Sequence, residues 1–205
     1  MSKHLPPLSF HLLTPLYDTI CAVVGFNIKF RLKIAEQIPD TARHIADIGC
    51  GTGAMTLLIK KRIRKATVLG IDPDEKALQR ARKKAEKENV SVAFLNGIAQ
   101  KLPLRPNSMD VVTSTLTLHH LPPSEKPKAL AECWRVLKTG GIVVLADFGM
   151  PKSTVSKLLL KFIVLFEHGE ENYKGLIEKQ VREAGFKIIS LTRIQMGVDI
   201  IVAQK

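Results

Sequence analysis

The chain has 205 residues, of which 45% are apolar and 24% are charged, a composition that excludes a disordered protein and allows one sizeable core. No stretch is long and apolar enough for a spanning helix, none resembles a signal peptide, and three isolated cysteines indicate neither disulfides nor a zinc site. We therefore expect a cytoplasmic protein. The formal net charge is +12, and half of this excess lies between Lys60 and Glu88. This basic flank is typical either of a solvated pair of helices or of a surface for nucleic acid, acidic lipid or another anionic partner.

Short apolar runs alternate with helical patterns along most of the chain. Residues 8–37 have a helical pattern that Pro15 and Gly25 interrupt. The predicted strands are 43–48, 66–71, 90–95, 110–114, 142–148, 186–192 and 197–203, and the predicted helices between them are 52–64, 74–88 and 122–137. This order predicts an α/β fold of three layers, with a doubly wound, mostly parallel seven-stranded sheet and a terminal antiparallel hairpin. We expect one domain over residues 1–205, with a helical cap at 1–40 and a lid-like insertion at 150–175.

The strongest motif, DIGCGTG at 47–53, joins the first predicted strand to its helix. Glycines let the backbone turn tightly and approach a ligand closely, and the start of a helix presents unpaired N–H groups. Gly49, Gly51 and Ala54 also have the spacing of a dinucleotide-binding loop. Asp47 favours a different ligand, because a carboxylate would repel a pyrophosphate but can accept hydrogen bonds from the ammonium group of an amino acid.

Together with later motifs, this loop resembles the class I S-adenosylmethionine-dependent methyltransferases, in particular the group called methyltransferase type 11. The resemblance covers residues 40–149 well and 170–203 more loosely. It implies S-adenosyl-L-methionine as the cofactor. Its methionine part would lie against the first motif, whose expected contacts are Asp47, Gly49, Cys50, Gly51 and Gly53.

The same resemblance assigns the sugar and the base of the cofactor to later loops. Asp72, followed by Pro73, would accept hydrogen bonds from both ribose hydroxyls, for which two carboxylate oxygens are suited. The alternative is that Asp72 only caps the helix that begins near Asp74. An aspartate of the family that binds the adenine amino group is replaced here by Ile98. Ile98 could pack on the ring instead, and the backbone of Ala99 could still contact the adenine.

The fourth predicted strand continues into a segment that resembles the family's passage to Leu-His-His-Leu. Ser114 and Thr115 are expected near the methionine end of the cofactor and its methyl group. His119 or His120 could face the methyl acceptor as a general base. Alternatively, the pair of histidines caps a helix or packs beneath a loop. Adjacent histidines point in different directions on most backbones, so we expect no metal site.

Two segments outside the core pattern are expected to close the site of the methyl acceptor. The first is the N-terminal helix, where Tyr17 is a candidate substrate contact. The second is the insertion, which is apolar on more than one face between Leu158 and Phe166. These features predict a lid over a small-molecule or lipid-like acceptor, although an ordinary buried helix or a dimer contact would show the same pattern. We expect a monomer or a homodimer. Contact with the surface of a membrane is also compatible with this composition.

The predicted function is in-line methyl transfer from S-adenosylmethionine to a small-molecule or lipid-like acceptor. One alternative is a nucleic-acid methyltransferase, which only the charge favours, because the Asn-Pro-Pro-Tyr-like sequence of base-modifying members is absent after the fourth strand. A second is an NAD(P)-dependent oxidoreductase on a related fold. A third is a partner subunit that binds the cofactor without catalysis.

Overall fold

The computed structural model describes residues 27–149, 176–194 and 197–205. Tyr17, most of the predicted cap and the insertion at 150–175 lie outside the described residues. The strands are β1 (His44–Ile48), β2 (Thr67–Asp72), β3 (Ala93–Asn96), β4 (Met109–Thr115), β5 (Leu137–Phe148), β6 (Lys187–Ile194) and β7 (Val198–Gln204). The helices are α1 (Ile28–Ala35), α2 (Ala54–Arg62), α3 (Glu75–Lys87), α4 (Lys126–Val136) and α5 (Leu176–Glu183), with a 3₁₀ turn at Leu118–His120.

The seven strands form one sheet in the order β3-β2-β1-β4-β5-β7-β6. The first five in this order pair in parallel, whereas β7 is antiparallel to both β5 and β6. The chain order reverses direction between β1 and β4, and ligands bind beyond the carboxyl ends of the strands at such a switch point. The predicted fold class is therefore confirmed.

Helices cover both faces of the sheet, because the parallel strands are apolar on both sides. On β5, the side chains of Val144 and Ala146 enter the core beneath α1 and α2, and those of Val143 and Leu145 enter the core beneath α4 and α5. Helix α3 packs a small apolar face against β2 and β3 on the same side as α2. Within the described residues, no helix combines the length and the apolar character needed to cross a bilayer.

Three predicted boundaries are wrong by several residues, each for a local reason. Strand β5 begins at Leu137 and not at residue 142, because Leu137 already pairs with Met109 of β4 ahead of an irregularity in the register. Strand β3 begins at Ala93 and not at residue 90, because Asn89 adopts a left-handed turn and the N–H of Val90 donates to a carbonyl of α3. Helix α4 begins at Lys126 and not near residue 122. Pro127 occupies its first turn, where the missing N–H of proline leaves no helix hydrogen bond unmade.

Candidate active site

The loop between β1 and α2 is bonded to the end of β2. The N–H groups of Gly49 and Cys50 both donate to the carbonyl of Ile71, at 2.8 and 3.1 Å. The three glycines of the loop all have positive φ angles, of 70°, 51° and 79° in chain order. Residues with a side chain rarely adopt positive φ angles, whereas glycine does so at little cost. The three glycines therefore let the chain turn from strand to helix within a few residues.

Each glycine of the loop has different surroundings. A Cβ atom at Gly49 would collide with the side chain of Thr117, and one at Gly53 would press against Ala81 and Phe94 at 2.9 Å. A Cβ atom at Gly51 would meet no atom within 4 Å. Gly49 and Gly53 are thus required by packing, whereas Gly51 borders open space that a ligand could enter.

Asp72, at the end of β2, faces this loop. One of its carboxylate oxygens accepts the N–H of Gly51 at 2.8 Å, and the other accepts the N–H of Asp74 at 2.9 Å. Helix α3 is capped by Asp74, whose side chain accepts the N–H groups of Lys76 and Ala77. The cap of α3 is therefore Asp74, and Asp72 instead joins the glycine loop to the turn before α3.

Asp47 lies buried beneath the loop, where Thr56 of α2 donates its hydroxyl to Oδ2 at 2.6 Å. Burial raises the pKa of Asp47 to about 7; the negative Asp72 nearby adds to the rise, and the Thr56 hydrogen bond opposes it. Cys50 is also buried, and burial together with these two acids holds the pKa of its thiol far above the ordinary value. Cys50 is therefore a structural residue of the loop and not a nucleophile.

The carboxyl end of β4 brings polar side chains next to the glycine loop. Ser114 is in register with Ile48, the residue before Gly49. Within the described part of the chain, the hydroxyls of Ser114 and Thr115 are buried and have no hydrogen-bond partner. A buried hydroxyl without a partner costs free energy, so such groups need an explanation, and a ligand with polar atoms would supply partners.

The loop after β3 lies beside the end of β2. The side-chain amide of Asn96 donates to the carbonyl of Pro73 at 3.0 Å and so links the two strand ends. Ile98 is 45% exposed, whereas Ala99 is buried. An exposed isoleucine at this edge offers an apolar surface that could cover a flat ring.

His119 and Asp147 form a buried pair at the carboxyl ends of β4 and β5. Nδ1 of His119 lies 2.7 Å from one carboxylate oxygen of Asp147, which also accepts the N–H of Phe148. The other oxygen accepts the N–H groups of Leu118 and His119. The His119 ring packs edge-on against Phe148 and lies 4.0 Å from the ring of His120, between centroids. The carboxylate therefore fixes both the ring and the backbone of His119.

Burial tends to raise the pKa of Asp147, but the charge and hydrogen bond of His119 and the N–H of Phe148 outweigh it. The resulting pKa lies below the usual value, so Asp147 is an ionised hydrogen-bond acceptor near neutral pH. With an anion at Nδ1, a neutral imidazole carries its proton there and keeps Nε2 as the basic nitrogen.

The sequence did not single out Asp147, Thr56 or Thr117. A signal for Asp147 exists, since it is an acid directly after the apolar run at 142–146, near the carboxyl end of a strand, where site residues of such sheets are found. The two threonines have no comparable signal, because their roles depend on contacts between different elements.

Comparison with known proteins decides the family. A family profile described as "Methyltransferase domain" matches residues 45–141. The demethylmenaquinone methyltransferase of Deinococcus radiodurans is 30% identical over 162 residues, which is 78% of this chain and 66% of that protein. The chain belongs to the class I S-adenosylmethionine-dependent methyltransferases. The predicted family and its cofactor are thereby confirmed.

Other relatives and solved structures agree with this methyltransferase assignment. The demethylmenaquinone methyltransferase of Thermus thermophilus is 32% identical, over 69% of this chain and 65% of that protein. The matched region is thus just under two thirds of the length of these first two relatives. The structure of a SAM-dependent methyltransferase from Aquifex aeolicus has a TM-score of 0.73 at 21% identity, over 93% of this chain and 95% of that one. The structure of the [4+2]-cyclase SpnF has a TM-score of 0.77 at 18% identity, over 95% and 93% of the two chains, and this likeness shows the fold alone.

The residues at this edge of the methyltransferase sheet fit the cofactor of the family. Gly51 borders open space, Ser114 and Thr115 present buried hydroxyls without partners, and the carboxylate of Asp72 lies beside the loop. The space at Gly51 and the two hydroxyls suit the amino-acid part of the cofactor, and the carboxylate of Asp72 suits the ribose diol. The contacts of the individual residues with the cofactor remain predictions.

Two alanine substitutions in the methyltransferase loop should separate ligand binding from packing. Gly51→Ala should reduce stability by only about 1–2 kcal/mol, the cost of a left-handed alanine, yet weaken S-adenosylhomocysteine binding because the methyl group enters the open space. Gly49→Ala should unfold the protein at a much lower temperature, because its methyl group collides with Thr117. Thermal melts with and without the ligand measure both effects. Equal loss of stability in the two variants would contradict the distinction.

Proposed function

We propose that this methyltransferase acts on a lipid-like hydroxyaromatic acceptor, such as a reduced quinone precursor, with His119 as the general base. The observation that carries the proposal is the buried His119–Asp147 pair at the same sheet edge as the glycine loop and Ser114. A hydroxyaromatic ring becomes strongly nucleophilic when its hydroxyl loses a proton, so an oriented base is what this chemistry needs. The relatives named as demethylmenaquinone methyltransferases support this class of acceptor.

We infer that the described residues contact three parts of the cofactor, namely its amino acid, its ribose and its adenine. Asp47 would attract the ammonium group, directly or through water, and Asp72 would bind the ribose hydroxyls. Ser114 and Thr115 would supply hydrogen bonds near the methionine end, and Ile98 would pack on the adenine. When bound, S-adenosylmethionine supplies a methyl group on a positively charged sulfur that an acceptor atom can attack in line.

The part of the protein in the reaction is orientation, exclusion of water and proton removal. The carboxylate of Asp147 holds the imidazole of His119 by Nδ1, so that Nε2 can take the proton of an acceptor hydroxyl. The phenolate left behind raises the electron density of its oxygen and of the adjacent ring carbon. Both positions are thereby activated as nucleophiles. Residues 1–40, including Tyr17, and the insertion at 150–175 would cover the acceptor.

The pKa of Asp47 leads to a pH dependence of cofactor binding. The carboxyl has a pKa of about 7 in the folded protein, and an ammonium ligand favours its ionised form. S-adenosylhomocysteine should therefore bind about tenfold more tightly at pH 8 than at pH 6, as expected for one proton lost on binding below pH 7. Calorimetry at the two pH values measures this difference. An unchanged affinity would show that Asp47 does not contact the ammonium group.

The same pKa has the opposite effect on the stability of the ligand-free protein. Since the folded value lies above the unfolded one of 3.8, the folded state binds more protons between these values. Ionised Asp47 thus opposes folding, and stability should decline as pH rises from about 4 to about 7. Asp47→Asn should remove this contribution to the decline, which urea melts at pH 5 and pH 7.5 would reveal.

Methyl transfer itself is tested with purified protein and methyl-labelled S-adenosylmethionine. The candidate acceptors are a short-chain prenylated naphthohydroquinone, a catechol and a mixed RNA, with the naphthoquinone as the oxidised control. The proposal expects label in the prenylated hydroquinone and little in the quinone, which has no hydroxyl to deprotonate. Label in RNA alone would overturn it, as would cofactor binding without transfer to any hydroxyaromatic acceptor.

A further inference from the structure

The two helical layers of the protein differ strongly in charge. Helices α1, α2 and α3, on one face of the sheet, contain twelve Lys or Arg residues and two Glu residues. Helices α4 and α5, on the other face, contain five Lys or Arg residues and three Glu residues. We call the first set the basic layer. The positive charge of the protein is thus concentrated on one face of the sheet.

Helix α3 concentrates this charge in one stripe. Lys76, Lys83 and Lys87 lie on the side opposite the buried face of Ala77, Leu78, Ala81 and Ala85, whereas Arg80 between them is only partly exposed and has one buried guanidinium nitrogen. Lys76, Lys83 and Lys87 are exposed, and no ion pair to them is found within residues 27–149, 176–194 and 197–205.

Two of the three acids nearest the stripe are paired with residues outside it, and the third, Glu86, forms no ion pair among the described residues. Glu75 at the start of α3 pairs with Arg82 at 2.7 Å. Glu88, just beyond the end of α3, pairs with Lys61 of α2 at 2.6 Å. The lysines of the stripe therefore remain available to an anionic surface.

Helix α1 adds apolar side chains to the basic layer. Ile28 is 56% exposed and Leu32 is 38% exposed, and the two lie one helical turn apart. Lys29 and Lys33 directly follow them and are also exposed. Exposed aliphatic side chains beside lysines can enter the headgroup region of an anionic bilayer while the lysines contact its phosphates.

Helix α1 packs against α2, and the chain that follows α1 is also bonded to α2. Arg62, the last residue of α2, donates to the carbonyl of Ile38 at 2.8 Å and pairs with Asp40 at 2.9 Å. The chain that follows α1 is therefore held at the end of α2 that is remote from the glycine loop.

We propose that the basic layer docks on an anionic phospholipid bilayer, with lysines of α1 and α3 near the headgroups and Ile28 and Leu32 inserted among them. The exposed large apolar side chains of the described residues are all aliphatic, namely Ile28, Leu32, Ile98 and Ile189. Single-stranded nucleic acid is usually held by aromatic side chains that stack on bases, so this surface fits lipid better than RNA. The inference rests on the proposed function only in that a bilayer would present a lipid-like acceptor to the site.

The test is co-sedimentation of the full chain with vesicles, without cofactor or acceptor, so its outcome is independent of methyl transfer. Vesicles of phosphatidylcholine alone are compared with vesicles containing phosphatidylglycerol. Binding should require phosphatidylglycerol and weaken as salt is raised. The variant K76Q/K83Q/K87Q should bind about a hundredfold more weakly, as expected for three charges lost near the surface.

The matched control is K128Q/K179Q/K187Q, which removes the same charge from exposed positions outside the basic layer. It should bind as the wild type does. The variant I28S/L32S should lose part of the affinity and of its resistance to salt, because inserted aliphatic groups are not screened. Equal binding to both vesicle types, equal effects of the two triple variants, or binding of RNA without binding of vesicles would each overturn the proposal.

Discussion

Replacing Asp72 by Asn is expected to weaken S-adenosylhomocysteine binding by about a hundredfold or more while the protein remains folded. The carboxylate of Asp72 receives N–H groups from Gly51 and Asp74, and it would also receive two ribose hydroxyls. An amide has only one acceptor oxygen, so it cannot serve all these donors. Two lost hydrogen bonds to a charged group, at about 1.5–3 kcal/mol each, correspond to this decrease in affinity. Isothermal titration calorimetry measures it directly.

Asp74→Ala is the matched control for this substitution. It removes a carboxylate two residues away that caps α3, and loss of a cap costs about 1 kcal/mol. The melting temperature should fall, but the affinity for S-adenosylhomocysteine should stay within about threefold, because the backbone N–H that Asp72 accepts is retained. If Asp72→Asn kept its affinity while Asp74→Ala lost it, the assignment of the ribose contact would be wrong.

Replacing His119 by Asn is expected to reduce turnover by about 10²–10⁴-fold, the usual contribution of a general base, with little change in cofactor affinity. Asp147→Asn should also reduce turnover, because an amide at this position no longer fixes the proton of His119 at Nδ1. Asp147 acts as a positioning residue, so its variant should shift the pH profile of turnover. His119→Asn should abolish the rise in turnover with pH that an imidazole base produces.

His120→Asn is the appropriate control, since the ring of His120 lies beside that of His119, and the ring nitrogen held 2.7 Å from Asp147 belongs to His119. Its turnover should fall much less than that of His119→Asn. If His120→Asn were the more damaged variant, with a lost pH dependence, the base would be His120. If neither histidine mattered, the methyl acceptor would need no base from this pair.

The sequence predicts the fold and most of the residues at the active-site edge of the sheet, because local patterns determine both. The carboxyl ends of β1 and β2 carry Asp47, the three glycines and Asp72, and the parallel sheet brings these strand ends together. Their backbone turns require residue types that are visible in the sequence. The alternation of strands and helices likewise predicts the sheet, apart from the starts of β3, α4 and β5. A turn at Asn89 and Pro127 shift the first two by a few residues, and early pairing of Leu137 with β4 shifts the third.

Residues whose roles depend on contacts between elements could not be predicted. Thr56 reaches Asp47 from a helix, and Thr117 explains why residue 49 must be glycine, yet neither is unusual in the sequence. The sequence left open whether His119 is a base or a buried packing residue. The structure places it in a buried pair with Asp147, a residue 28 positions away that no local pattern links to it.

The most direct test of the account is calorimetry of the wild-type protein with S-adenosylhomocysteine, with NADH as the comparison. The account expects one molecule of S-adenosylhomocysteine per chain, a higher melting temperature in its presence, and no heat with NADH. Absence of binding by S-adenosylhomocysteine, or tighter binding of NADH, would contradict the claim that the glycine loop and Asp72 form the site for S-adenosylmethionine.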